Sequence, residues 1–138
     1  MVLAILAVLA VISAPRFADA MTSYRVQAAA RRIAADIRAA RIRAETENTT
    51  QEIVFNIATD SYELPGMADL DHSLNTYQVN LANKPYKAVL VIANFGGDQT
   101  VKFNGFGVPD SGGTIEVSIG SVQKTISLNP DTGNTVLQ

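Results

Sequence analysis

An α+β fold, with one long N-terminal helix packed on a C-terminal antiparallel β domain, is predicted from three features of the sequence. Fourteen of the nineteen alanines lie in residues 1–44, whereas all nine glycines lie at position 66 or later. All seven arginines lie in residues 1–43, opposed there only by Asp19 and Asp36 (local charge +5), while the remainder sets four lysines against eleven acids, −7. The hydrophobic period also changes near residue 48, from recurrence every three or four positions to short runs bounded by turn residues. The expected division is residues 1–48, a membrane or assembly helix, and 49–138, a β domain.

Composition removes several function classes at once. The 138 residues suit one domain and contain no Cys, so disulfide frameworks, thiolate metal sites and cysteine nucleophiles are excluded. One His leaves no imidazole cluster for a metal, and a net charge of −2 makes no global case for nucleic acid.

One helix is expected from Met1 to about Glu47, because that stretch lacks Gly and is rich in Ala, Leu and Arg. Its first fourteen residues, MVLAILAVLAVISA, carry no charge. As a helix they span about 21 Å, against a bilayer hydrocarbon core of ~30 Å. The run is too short to cross a membrane alone and too apolar for water. Pro15 removes one backbone donor and is expected to kink the helix without ending it. Val2, Leu3, Ile5, Leu6, Val8, Leu9, Val11, Ile12, Pro15 and Phe17 are therefore the candidate membrane and assembly residues. Beyond Pro15, Val26, Ala30, Ile33, Ile37, Ala40 and Ala44 make a single apolar stripe for packing on the sheet. At ~100° per residue Arg31 and Arg38 lie nearly opposite it, and Arg25, Arg32 and Arg43 flank it. Arg32 and Asp36 form an i,i+4 pair, and Ile42 points away from the stripe, as a second packing surface would require.

The polar cluster Glu45–Thr50 stops the helix, and seven or eight short antiparallel strands follow. Glu52–Ile57 and Ser61–Leu64 flank Ala58-Thr59-Asp60 as a hairpin, and Pro65–Asn75 reads as a loop. Thr76–Leu81 and Lys87–Asn94 are strands, the second containing the continuous apolar run Ala88–Ala93 expected of a buried strand. Thr100–Asn104 follows the Gly96-Gly97-Asp98 turn. Thr114–Ile119 and Val122–Leu128 are joined by Gly120-Ser121, a two-residue signal suited to a type II′ turn. Ile115, Val117, Ile119, Val122 and Ile126 share one face there, with Lys124 the misfit. A turn over Asn129–Gly133 leads to Thr135–Leu137.

No motif makes a convincing catalytic or ligand site. Asp110-Ser111-Gly112-Gly113 matches four of the five residues around a trypsin-like nucleophile, but His72 is the only base and Pro109 stands where Gly is expected. Such stretches are ordinary loop chemistry. Asp69, Asp71 and Asp98 lack the alternation of a calcium loop and read as solvated acids. Gly96-Gly97 and Gly105-Phe106-Gly107 do not open a helix after a strand, so a phosphate loop fails, and the sequon Asn48-Thr49-Thr50 reads as a helix stop. Cofactors, metal sites and enzyme activity are not expected.

The segment Val2–Phe17, an apolar run leading to Pro15, resembles the N-terminal helix of type IV pilin-like proteins. Ala30–Arg41, the turn Phe103-Asn104-Gly105-Phe106-Gly107-Val108-Pro109 and the closing Pro130-Asp131-Thr132-Gly133 resemble minor pseudopilins of the GspH/FimT type. The family's basic leader, processing site and assembly glutamate have no match, so a start lost by about seven mature residues is expected. The resemblance implies a bacterial inner-membrane precursor with one transmembrane helix, cut by a prepilin peptidase and N-methylated, its C-terminal domain periplasmic. It would assemble with other pilin or pseudopilin subunits in a type II secretion pseudopilus or a type IV pilus. Relatives that take up DNA carry Arg near the C-terminus, whereas this chain closes Asn134-Thr135-Val136-Leu137-Gln138, so nucleic acid is not an expected partner.

Two alternatives stand beside this reading. One is a secreted ligand-binding β domain, released by signal cleavage at Ala18-Asp19-Ala20, although no positive segment precedes the apolar run. The other is a DNA-uptake minor pilin that contacts phosphates through its helix arginines.

Overall fold

The computed structural model describes residues 2–138, apart from the side chains of Val2, Leu6, Leu9, Ala10, Ile12, Ser13, Ala14 and Pro15. One helix, α1 (Val2–Glu47), is followed by eight strands: β1 (Gln51–Asn56), β2 (Ser61–Ala68), β3 (Thr76–Asn80), β4 (Val89–Asn94), β5 (Thr100–Phe103), β6 (Gly113–Ile119), β7 (Val122–Leu128) and β8 (Thr135–Leu137). The strands form two antiparallel four-stranded sheets, ordered β3-β2-β1-β5 and β4-β6-β7-β8. The architecture is α+β.

The second half of α1 touches both sheets, through β1 and β5 of the first and β6, β7 and β8 of the second. Its buried face consists of Val26, Ala29, Ala30, Ile33, Ile37, Ala40 and Ala44. Each is at most 1% exposed, so no water separates helix from sheets along this stripe. Opposite it lie Ile53, Leu64, Val101, Phe103, Ile115, Val117 and Ile126, which belong to the same core cluster. Full burial of one such aliphatic side chain is worth about 1.5–3 kcal/mol. Phe55 of β1 packs at a tilt against Tyr62 of β2 and stacks with Phe95 just past β4, ring centroids 5.4 and 5.5 Å apart, and the second contact ties the two sheets together.

The helix stops where a side-chain-tolerant left-handed residue turns the chain. Asn48 has φ +49, and the Thr49 amide reaches back to the Ala44 carbonyl at 3.2 Å, closing orphan acceptors as a C-terminal cap does.

Several strand limits differ from the sequence expectation, each for a local reason. Ile57 leaves β1 for a 3-10 turn, Ile57–Thr59, which Asn56 caps by accepting from the Thr59 amide at 3.3 Å. Pro65 to Ala68, expected as loop, continues β2 across an irregularity in its pairing with β3 between Leu64 and Ala68. Proline is tolerated at such a break in the ladder, and Gly66 leaves room for the amide end of the Gln51 side chain, which a Cβ there would displace. β4 begins at Val89 because Lys87 has φ +52, incompatible with a strand. β5 ends at Phe103 because the Asn104 side chain closes the next turn.

The largest correction concerns β4. Its apolar run is not buried on both faces: it is a sheet edge, Leu90 and Ala93 face the core, and Val89, Val91 and Ile92 are exposed. A register shift between Leu90 and Ile92 places two consecutive residues outward, which simple alternation forbids.

Asp60 links the two sheets through its backbone and side chain. It sits at φ +50, its carbonyl accepts from Leu81 and its Oδ1 accepts from the amide of Leu90 in β4, both at 2.8 Å. Asp60→Asn keeps the acceptor and the left-handed tolerance, so little loss is expected. Asp60→Ala loses both and is expected to cost about 1–2 kcal/mol. Chemical denaturation of the two variants checks this, and equal stability would remove Asp60 as a tie.

Candidate functional site

Along α1 the surroundings change completely. Leu3, Ile5, Val8, Val11 and Phe17 are exposed by 59–82%, although all are apolar. The other expected members of this group, Val2, Leu6, Leu9, Ile12 and Pro15, have side chains outside the described residues. Among the described residues no helix is long and apolar enough to cross a membrane. From Val26 onward the same helix is clamped by the sheets, and Val26, Ala30, Ile33, Ile37, Ala40 and Ala44 all lie in that seam. The structure thus separates the two groups of candidate residues along one continuous helix.

Asp36 anchors the clamped half. Its carboxylate accepts from the Tyr62 hydroxyl of β2 at 2.6 Å, from the Tyr77 hydroxyl of β3 at 3.0 Å, and from Arg32 Nε at 3.2 Å. Arg32 also donates to the Tyr77 hydroxyl, and its guanidinium carbon lies 5.8 Å from the Tyr77 ring centroid. Burial pushes the Tyr62 hydroxyl far above the usual tyrosine range, and the Asp36 charge adds to the shift. Tyr77 is raised mainly by burial too, with Arg32 opposing. The Arg32 guanidinium is held above its ordinary value by the hydrogen bond to Tyr77, burial opposing and the Asp36 charge helping. The hydrogen bonds from β2 and β3 to one helix carboxylate make the cluster a clasp between α1 and the first sheet.

A second convergence lies at the end of α1. In the turn Phe103–Pro109, Asn104 Oδ1 accepts from the amides of Phe106 at 2.9 Å and Val108 at 3.1 Å. Gly105 and Gly107 press on Asn48 and Glu45 so closely that a Cβ on either would collide. Gly133, in the Pro130–Gly133 turn, packs against the Gly107 carbonyl and the Arg41 side chain. Arg41 donates to Asn134 Oδ1 at 2.6 Å and pairs with Glu45 at 3.1 Å. An open groove of about 580 Å³ lined by Arg38, Arg41, Ile42, Gly133, Asn134 and Thr135 runs beside it.

Residues 29–132 match the family model described as type II transport protein GspH. The chain belongs to the GspH family. No curated protein and no solved structure matches it. Membership brings a pseudopilin role in type II secretion and assembly with other pseudopilins, as a structural component. The match begins within the packing stripe, spans the Asp36 clasp and the Phe103–Pro109 turn, ends inside the Pro130–Gly133 turn, and leaves the apolar run outside it.

In this GspH-family chain the other sequence motifs serve packing. Asp110 Oδ1 accepts from the Lys102 amide at 3.0 Å and the Asp110 amide donates to the Lys102 carbonyl at 2.8 Å. Gly113 lies against the Asn94 carbonyl and the Phe95 ring with no room for a Cβ. Ser111 packs beside Gly96, while His72 lies in the β2–β3 loop, and among the described residues no hydrogen bond joins the two. Asp69 and Asp71 share that loop with each other but not with Asp98, and among the described residues no group of three or more acids, His or Cys is placed to hold a metal.

Sequence reasoning finds Arg32–Asp36 only as an i,i+4 pair along the helix and misses both tyrosines. Asp36 is the only acid between Arg25 and Ala44, inside a face otherwise built of Ala, Ile and Arg, and that isolation was the available signal. Asp36→Ala leaves the Tyr62 hydroxyl buried without a partner and is expected to cost about 3 kcal/mol, against about 1 kcal/mol for Tyr62→Phe. Because both tyrosines are raised in the folded state, their contribution is fully present below about pH 10 and is lost as the pH climbs above it. Tyrosinate absorbance is expected to rise late, together with unfolding, and Tyr62→Phe with Tyr77→Phe should remove that late phase.

Proposed function

We propose that the chain is a non-enzymatic minor subunit of a type II secretion pseudopilus, or of a related type IV pilus. The first half of α1 is held in the bacterial inner membrane, the β domain lies in the periplasm, and assembly proceeds through that same helix half. One observation carries the reading: a single helix, α1, is apolar and exposed at its start, yet buries its apolar face against its own sheets from Val26 on. An apolar surface of that extent demands cover by lipid or by other helices. Helices meeting side by side in a repeating, non-closing way make a helical fibre.

Family membership supports the secretion role, and the packing duties of the Ser111 and Asp110 motif support the absence of catalysis. The rival reading, signal cleavage after Ala20, would discard the exposed residues and release the β domain. A mass measurement on the mature chain separates the two.

The chain contains no cysteine, so single cysteines at Val8, at Val11 and at Lys124 of β7 can report neighbours without background. Cross-links to other pseudopilins are expected from Val8 and Val11 and not from Lys124. Placing Asp at Val8 and Val11 costs ~2.5–3.5 kcal/mol each at a membrane helix centre, so Val8→Asp with Val11→Asp should cut assembly and secretion more than tenfold. The β domain should keep its thermal midpoint. Normal secretion by that double variant would sink the proposal.

A further inference from the structure

The rim where the basic helix α1 enters the acidic β domain concentrates positive charge. Among the described residues Val26 is the first fully buried one of α1, and Tyr24 just before it is exposed. At that level the β3–β4 connection, residues 81–88, comes alongside the helix. Tyr24, Arg25, Arg31, Arg32, Pro85 and Tyr86 line a groove of about 400 Å³. Exposed Lys84 and Lys87 flank Tyr86, so five of the chain's eleven cations meet here, and residues 82–88 contain no acid. Asp36, the acid nearest along the helix, is committed to Arg32, Tyr62 and Tyr77. Arg25, Arg31, Lys84 and Lys87 have no acidic partner among the described residues.

We propose that this rim docks on anionic phospholipid head groups, with Arg25, Arg31, Lys84 and Lys87 facing phosphates and Tyr24 and Tyr86 at head-group level. It rests on the reading that the first half of α1 enters a bilayer. Three arguments favour lipid over other anions. The groove continues directly from the exposed apolar surface of Phe17 and Met21, which a nucleic acid or an acidic peptide would leave uncovered. Amphipathic aromatics and basic side chains together at the end of an apolar helix are the composition of a membrane–water interface. The stretch from Arg25 to Arg32 rises about 10 Å along the helix axis, comparable with the head-group layer of one leaflet. Planar guanidiniums also suit phosphate oxygens in bidentate fashion.

The test uses the full chain carrying Tyr86→Trp, whose indole is then the only one present. Binding is measured to vesicles of phosphatidylcholine alone and of phosphatidylcholine mixed with phosphatidylglycerol, some with a quencher at head-group depth. The mixed vesicles should bind more tightly, the excess should vanish in high salt, and the indole should be quenched. Arg25→Gln with Arg31→Gln should lower binding to the mixed vesicles about 25-fold, each Arg being worth about fivefold at an anionic surface. Binding to phosphatidylcholine alone should not change, and neither should the thermal midpoint of the variant. Equal binding to both vesicle types, an unquenched indole, or a double variant that binds the mixture like the parent would overturn the docking. So would a double variant that loses cross-links to other subunits while keeping its lipid binding, since the rim would then be a subunit contact. Failure of the parent to bind phosphatidylcholine alone would instead strike at membrane entry by α1, so the two readings fail separately.

Discussion

The close approach of α1 to two sheets at once is the constraint on which the rest of the fold depends. Neither four-stranded sheet has a partner for its inner face without the helix, and the helix has no other cover for Val26 to Ala44. Four of the seven buried positions are alanine, Ala29, Ala30, Ala40 and Ala44, so the backbone comes near enough for Ile33 and Ile37 to reach between strands. Larger residues at those alanines would lift the helix off one sheet or the other, because a close-packed interior has no slack for added methylenes.

A stripe of small residues sets distance but resists sliding weakly, since one alanine presents much the same shape as the next. Directional contacts supply the missing register. Asp36 reaches two different strands, β2 and β3, through hydroxyls that are themselves nearly or partly buried, so a shift of one helical turn would strand Tyr62 without an acceptor. At the other end Arg41 holds Asn134, and Gly105, Gly107 and Gly133 fit against Glu45, Asn48 and Arg41. The stretches that resemble the GspH type are thus neighbours in space: the helix, the Phe103–Pro109 turn and the Pro130–Gly133 turn close on one another.

What the sequence made legible follows from which rules are local. The helix, the antiparallel strands and the turns at Gly96-Gly97 and Gly120-Ser121 depend on periodicity and on residues tolerant of positive φ, and these can be read residue by residue. β4 was misread because an apolar run at a sheet edge and one in a sheet centre look alike until the strand order is known, and the register shift at Val91 hides the alternation. Pro65 reads as the start of a loop because nothing local announces that β2 continues past an irregularity in its pairing with β3. The Asp36 clasp joins residues 26 and 41 positions apart, beyond the reach of any spacing rule.

The two halves of α1 obey different physics, and under the proposed function that difference lets one helix serve both anchoring and assembly. In the clamped half, the face from Val26 to Ala44 is buried within the chain, so that stripe has nothing left to offer a neighbour, although Ile42 on the opposite side stays exposed. In the first half, lipid tails are as apolar as the side chains, so helices there gain nothing hydrophobic by meeting each other. In the proposed fibre, association would then depend on shape: small residues such as Ala4 and Ala7 beside Leu3, Ile5, Val8 and Val11 would let backbones approach and pack. Exchange of lipid for neighbouring helices is consequently a transfer between environments of similar polarity, with a small free-energy difference that a fibre's repeated contacts can tip. A helix with a polar first half would be barred from the bilayer. One whose first half was covered by its own sheets would have no surface left to pack in a fibre.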